Sequence, residues 1–246
     1  MSYKAEKIVP FSDQDTNKGK QIETMFDEIA EQYDRLNSIM SFGLDKRWRK
    51  KGILKIKALN PQSILDIATG TGDLALEAYD LLKPKSVLGI DISEGMMDVG
   101  RKKVAEKGLS EQIKFEWQDC TDLQLETNAF DAAIVAFGIR NFENLDKGLQ
   151  NILRVLRSGG QLMILELATP EYFPMKQLYP FYSRYIIPVL GRMFSKNKQA
   201  YTYLPKSIVA FPQNAELKSI LEKNGFSKVE YQKLFPGVCT LYVATK

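Results

Sequence analysis

The chain has 246 residues, 44% hydrophobic and 26% charged, with a formal net charge of +4 and no histidine. That length suits one large domain with enough apolar mass for a full core, and it excludes a wholly disordered or collagen-like chain. So mild a charge gives no ground for a nucleic-acid partner, and the lack of histidine excludes a histidine base, a histidine-containing triad and a histidine-ligated metal.

Cys120 and Cys239 have neither metal-ligand nor disulfide-framework spacing and read as reduced thiols. The polar N-terminus carries no signal-peptide pattern, and no run of about 18 apolar residues occurs. The expectation is a cytoplasmic protein.

Residues 1–19 are polar and aperiodic, the pattern of a loose arm. From Lys20 the chain turns helical, with Ile22, Met25, Phe26, Ile29, Ala30 and Tyr33 on one stripe. Asp45–Leu59 reads as a second helix, with Trp48, Ile53, Ile56 and Leu59 apolar and a basic face of Lys46, Arg47, Arg49, Lys50 and Lys51. Such a basic run is the mark of a solvated helix face.

After Pro61 the period changes. Ser63–Ala68 is a short apolar strand followed by Gly70-Thr71-Gly72, and Asp73–Leu82 is helical again. Val87–Ile92 is a second strand, and Ser93 suits the cap of a helix carrying Met96, Met97 and Val104. Ile113, Phe115 and Trp117 alternate in a third strand, and Ala132–Phe137 is a fourth. A helix bearing Leu145, Leu149, Ile152, Leu153 and Leu156 is expected to end at Gly159-Gly160, with Leu162–Leu167 as the fifth strand. Leu217, Ile220 and Leu221 mark a last helix ended by Gly225, and Lys228–Leu234 with Val238–Ala244 a closing hairpin about Pro236-Gly237.

Strands alternating with helices predict an α/β fold: a mainly parallel twisted sheet with helices on both faces and a closing antiparallel hairpin. One domain covers 1–246: a helical cap (20–60), a ligand-binding core (61–168), an apolar and aromatic lid (169–214) and the closing helix and hairpin (215–246).

The turn after the first strand carries the chemistry. Gly70, Gly72 and Ala75 match the dinucleotide pattern, in which glycine lets a ligand approach the main chain at a helix N-terminus. Asp66 stands four residues before Gly70, and Asp73 follows the turn. Carboxylates here oppose a pyrophosphate by about 1 kcal/mol or more at close range. They suit S-adenosylmethionine, whose ammonium and sulfonium are cationic. Asp91, at the end of the second strand, is placed for ribose hydroxyls, and Asp119, at the end of the third, for the adenine amine. Asp66 or Asp73 alone also suits a helix cap, and Cys120 alone a small core residue.

The segment Asp66–Gly72, with Asp91 and Asp119, resembles the Rossmann-like class I methyltransferases. Four further segments resemble the ubiquinone/menaquinone biosynthesis C-methyltransferases: Tyr33-Asp34-Arg35-Leu36-Asn37 with Ser41; Phe137-Gly138-Ile139-Arg140-Asn141; Arg154–Gly160 with Glu166; and Tyr201–Pro205 with Ala210-Phe211-Pro212. The chain departs from that family at Leu36 (usually Met), Asp45 (His), Arg157-Ser158 (Lys-Pro), Ala168 (Ser) and Tyr242 (His).

The resemblance implies methyl transfer from S-adenosylmethionine, without a metal, to a ring carbon of a reduced polyprenyl quinol, with demethylmenaquinol preferred over a ubiquinone precursor. It places cofactor contacts on Thr71, Asp91, Asp119 and Cys120, to which the glycine turn adds Asp66, Gly70 and Gly72. Arg140 and Asn141, which follow the fourth strand, are expected to stabilise a phenolate and order a water, with Tyr33 closing over them; a surface or interface Arg140 and a core Tyr33 are the plainer readings. Tyr172–Ser195 is apolar and aromatic with scattered cations. It suits a lid over a lipid tail or contact with the inner membrane surface, or else a homodimer interface. Pro180 and Pro188 are expected to break it into short pieces. A nicotinamide-dependent oxidoreductase, a non-catalytic scaffold and an RNA methyltransferase are the competing readings.

Overall fold

Ser63–Ile67 forms β1 in the middle of the sheet, and its burial on both faces explains why apolar residues run on there without polar alternation. In the computed structural model, which describes residues 3–11, 15–189 and 198–246, β1 pairs in parallel with β2 (Ser86–Asp91), which pairs with β3 (Ile113–Trp117). On the other side lie β4 (Phe130–Ala136) and then β5 (Leu156–Leu167), also parallel. β6 (Ser227–Leu234) and β7 (Cys239–Thr245) form the expected antiparallel hairpin, and β7 joins β5 with Ile164 opposite Tyr242. The strand order is β3-β2-β1-β4-β5-β7-β6.

α1 (Lys18–Met40) forms the cap and is opened by Asn17, whose side chain accepts from Lys20 N. α2 (Leu44–Lys55), α3 (Asp73–Leu82) and α4 (Glu94–Glu106) cover one sheet face, with Ile53, Leu74 and Val104 packed among Ile64, Ile134 and Met163. α5 (Leu145–Val155) covers the other, where Leu149 and Ile152 meet Leu65, Ala133 and Leu162. Beyond it come α6 (Met175–Phe181) and α7 (Lys198–Ala210); Ala200, Tyr201 and Tyr203 of α7 pack on Ile22, Met25 and Ile29 of α1. α8 (Ala215–Lys223) returns to the α5 face through Leu217 and Leu221.

Three local expectations are corrected. Of the arm, Lys4–Lys7 forms a short helical turn and Ala5 and Phe11 are buried. Lys18 Nζ ties it down, donating to Ala5 O at 2.8 Å and to Arg140 O and Phe142 O at 3.3 Å. A polar sequence hides this docking because the acceptors are backbone carbonyls.

Gly159-Gly160 does not end a helix. α5 stops at Val155, β5 begins at once, and the glycines lie where the β4 pairing jumps from Phe130↔Leu156 to Ala132↔Gln161. A Cβ on Gly160 would sit 2.9 Å from Asp131 O, so the pair serves a bulge rather than a cap.

The third strand forms as expected, with Trp117 at its end. On the edge strand it is 56% exposed, its indole N–H donating to Ile92 O at 2.8 Å.

Pro180 lies inside α6, and the helix runs on through a wide turn at Tyr182–Ile186 and through residues 187–189, which include Pro188. A proline inside a helix removes one hydrogen bond and crowds the preceding turn, and the wide turn that follows Pro180 takes up the misfit without ending the helix. Leu190, Arg192, Met193 and Phe194 of the same segment lie outside the described residues.

Candidate active site

β1 lies between β2 and β4, so the chain leaves the sheet in opposite directions at its carboxyl end, which opens a crevice there. The residues that follow β1 and β4, Ala68 and Phe137, both have left-handed backbones (φ +51° and +61°), a strain typical of functional sites. Gly138 lets the two loops touch, since a Cβ there would lie 2.5 Å from that of Ala68. Gly72 (φ +75°) turns the chain into α3, and a Cβ on it would strike the Phe115 ring at 2.7 Å.

Two small cavities flank the glycine turn. One, of about 80 Å³, is bordered by Gly70, Asp91, Ile92, Met96, Asp119 and Cys120. The other, of about 50 Å³, is bordered by Asp34, Asp66, Gly70 and Thr71. Six of the seven expected cofactor contacts therefore converge; Gly72 borders neither and shapes the turn instead.

Asp66 Oδ2 accepts from Thr69 Oγ1 at 2.6 Å, whereas its Oδ1 is buried with no hydrogen-bond partner among the described residues. Burial, reinforced by the charge of Asp91, pushes the Asp66 carboxyl up to about 7 against the pull of Thr69. Asp91 accepts from Gly70 N at 2.8 Å and Ser93 N at 2.9 Å, and burial still raises it to about 6. Asp119 accepts from Thr121 N at 2.8 Å, and burial holds the neighbouring Cys120 thiol well above its usual range. An orphaned carboxylate oxygen, acidic strand ends and the apolar Ile92 and Met96 fit a ligand with a cationic amino-acid end and a nucleoside end.

A charge network fastens the cap to this turn. Asp34 of α1 accepts from Thr71 Oγ1 and from Lys103 Nζ, both at 2.5 Å, and Lys103 also reaches Asp73 at 2.7 Å. Arg49 continues it to Asp73 at 3.3 Å, Asp45 at 3.0 Å and Glu77 at 2.9 Å. Arg49 thus leaves the basic face to which its sequence neighbours assign it: it is buried, while Lys46, Arg47, Lys50 and Lys51 are exposed. Its spacing from Asp45 and Ile53 puts it on the buried side of α2, where Asp45 pairs with it at i,i+4 and Asp73 and Glu77 of α3 complete its partners.

An apolar cavity of about 300 Å³ lies beyond, enclosed by α1, α2, α6 and α7. Tyr33 and Phe137 border all three cavities. The structure separates the other two expected catalytic residues, for Arg140 borders the apolar cavity and Asn141 the 80 Å³ one. Tyr203 Oη links the two sides by donating to Asn141 Oδ1 at 2.9 Å.

Arg140 is a buried cation, neither surface nor interface. Its Nη1 donates to Glu166 Oε1 at 2.8 Å and to Phe137 O, and its Nε lies 3.4 Å from Ser207 Oγ. Burial raises the phenols of Tyr33, Tyr179 and Tyr203, the latter two to about 12, even though the charge of Arg140 opposes the shift. These tyrosines are neutral donors at ordinary pH. Tyr179 and Tyr203 came from the lid and from a sequence motif without an assigned role, and only the packing of α6 and α7 on α1 brings them to the site.

The profile of the ubiE/COQ5 methyltransferase family matches residues 14–246. A demethylmenaquinone methyltransferase of Bacteroides fragilis is 54% identical over 246 residues, covering 100% of both chains. One from Porphyromonas gingivalis is 46% identical, covering 98% of each. Among solved structures, a SAM-dependent methyltransferase from Aquifex aeolicus shares the fold with a TM-score of 0.58 at 20% identity, over 80% of this chain and 88% of that one.

Proposed function

The chain belongs to the ubiE/COQ5 methyltransferase family, and from that premise we propose that it methylates a ring carbon of a reduced polyprenyl naphthoquinol, converting demethylmenaquinol to menaquinol. The observation that carries this reading is the meeting of an apolar cavity of about 300 Å³ with the two acidic cavities at Tyr33 and Phe137. A volume of that size suits a ring and the start of an apolar tail. The printed names of the relatives at 54% and 46% identity favour the naphthoquinol over a benzoquinol.

S-adenosylmethionine would supply an electrophilic methyl group: its S–CH3 bond would break as the C–CH3 bond to the ring forms, and the ring proton would then restore the ionised quinol hydroxyl, so that S-adenosylhomocysteine and one proton are released in all. The residues do the rest. Asp66 and Thr71 meet the methionine end, Asp91 the ribose, and Asp119 with the Cys120 amide the adenine. Tyr33 and Phe137, which border all three cavities, would hold carbon, methyl and sulfur in line at the junction. In well-oriented reactions such alignment is worth up to about 7–11 kcal/mol. The Tyr33 and Tyr203 phenols, raised by burial, act as hydrogen-bond donors and leave the quinol proton to water, which Asn141 orders. Arg140 donates to the quinol oxygen as negative charge develops on it.

The exposed aromatic face beside the cavity mouth, with Phe173, Phe181 and Tyr185 near Lys176 and Arg184, suits contact with a bilayer surface. Among the described residues no helix is long and apolar enough to cross a membrane. A pair of chains joined through that face is the other arrangement it permits, and sedimentation as a monomer in ultracentrifugation would dismiss that alternative.

The deciding experiment offers isotope-labelled S-adenosylmethionine with two chemically reduced short-chain acceptors, a demethylmenaquinol and a ubiquinol precursor. Label on the naphthoquinol ring alone is expected. Label on both rings widens the substrate class, and label on neither overturns the proposal.

A further inference from the structure

Glu166, at the carboxyl end of β5, is only 1% exposed, deeper than any surface ion pair requires. Its Oε1 accepts from Arg140 Nη1 at 2.8 Å and from Leu167 N at 2.8 Å, and its Oε2 accepts from Arg140 N at 3.3 Å. One carboxylate therefore grips both the backbone and the guanidinium of Arg140. Phe137 O takes a further Nη1 hydrogen bond, and Ser207 Oγ lies against Nε. Arg140 Nη2 has no hydrogen-bond partner among the described residues, and Arg140 borders the apolar cavity. Two of the three guanidinium nitrogens are thus spent on the protein and one is left for a ligand.

We propose that Glu166 is a positioning residue for methyl transfer: by engaging Nη1 and the backbone amide it aims Arg140 Nη2 at the quinol oxygen. It also sets the charge there, since the buried pair is neutral before the substrate hydroxyl ionises. A carboxylate planted on a sheet strand holds a guanidinium more rigidly than one on a loop. The inference rests on the role proposed for Arg140.

A double-mutant cycle tests it, with kcat, the pH profile of kcat and the Kd of S-adenosylmethionine measured on the full chain. Arg140→Gln is expected to lower kcat by roughly 10²-fold, the scale of losing one charge-stabilising donor. Glu166→Gln should lower kcat about tenfold with cofactor Kd unchanged, and move the acid limb of the profile to lower pH, because the uncompensated cation acidifies the quinol. Combined, the two should be no slower than Arg140→Gln alone. The pair should also melt higher than either single variant, since neither charge is then buried alone. Where Glu166→Gln fails to fold, Glu166→Asp runs the same cycle: it keeps the charge but not the reach, so kcat falls and the limb stays in place.

A loss from Glu166→Gln that multiplies undiminished onto Arg140→Gln overturns the inference, as does wild-type kcat in Glu166→Gln. Wild-type kcat in Arg140→Gln instead removes the underlying reading of Arg140, and the inference with it.

Discussion

Asp34, in the last third of the cap helix, accepts a 2.5 Å hydrogen bond from Thr71 Oγ1 in the glycine turn, so the cap is latched to the loop proposed to receive the cofactor. Lys103 braces the latch from α4 through Asp34 and Asp73. Asp34→Ala is expected to weaken S-adenosylmethionine binding about tenfold, the cost of one charge-assisted hydrogen bond. Lys103→Ala should act in the same direction. Calorimetric titration checks both, and unchanged Kd values in both would show that the latch is only structural.

Cofactor binding should depend on pH through Asp66 and Asp91, whose carboxyls burial raises to about 7 and about 6. In the free protein these groups hold protons that the unfolded chain releases near about pH 4. Their contribution to stability is therefore full below that value and is lost as pH rises through about 6 to 7. The ammonium of S-adenosylmethionine favours the ionised carboxylates, so affinity should rise between about pH 6 and 8. Asp66→Asn should flatten that rise. Isothermal titration at three pH values decides the matter, and affinity falling with pH in the wild-type chain contradicts the placement of Asp66.

Arg49→Met should destabilise the chain by about 3 kcal/mol, because it strips a buried cation from Asp45, Asp73 and Glu77. Urea unfolding measures it. Lys50→Met, one residue along and exposed, should cost within about 0.5 kcal/mol. Equal costs at the two positions would contradict the burial of Arg49.

Removing the Lys18 ammonium leaves the carbonyls of Ala5, Arg140 and Phe142 without that donor. Lys18→Met is expected to cost about 1–3 kcal/mol. It should also open the N-terminal segment to limited proteolysis before the rest of the domain yields. Identical digestion patterns for variant and wild type would show that the segment is held by its other contacts.

The exposed aromatic face should report on membrane contact independently of chemistry. Phe173→Ser with Phe181→Ser, at positions 82% and 61% exposed, is expected to abolish co-sedimentation with vesicles containing anionic lipid. Turnover of a short-chain quinol in detergent should be unaffected. Retained sedimentation would place the contact elsewhere.

Much of this was legible in the residues. The glycine turn, Asp66, Asp91 and Asp119 stand at fixed offsets from apolar strands, and local spacing carries them to the ends of β1, β2 and β3. Lys18 was not legible, because its acceptors lie on other elements; Arg49, spaced at i,i+4 from Asp45, was hidden among basic neighbours, and its partners Asp73 and Glu77 on α3 leave no local pattern. Gly159-Gly160 misled for a related reason: a glycine pair serves a helix end or a strand bulge equally well, and the pairing of β4 with β5 selects the bulge.

The sequence by itself determined the α/β class, the crevice at the β1 end and the family, since these follow from periodicity and from short motifs contiguous in the chain. Only the tertiary structure decided that Arg140 is buried against Glu166, that Tyr33 and Phe137 stand at the junction of three cavities, and that α6 and α7 supply the phenols around them. Those facts bring residues as far apart as Tyr33 and Tyr203 to the border of one cavity, a placement set by how a cap helix packs on a lid helix and by no local pattern in either.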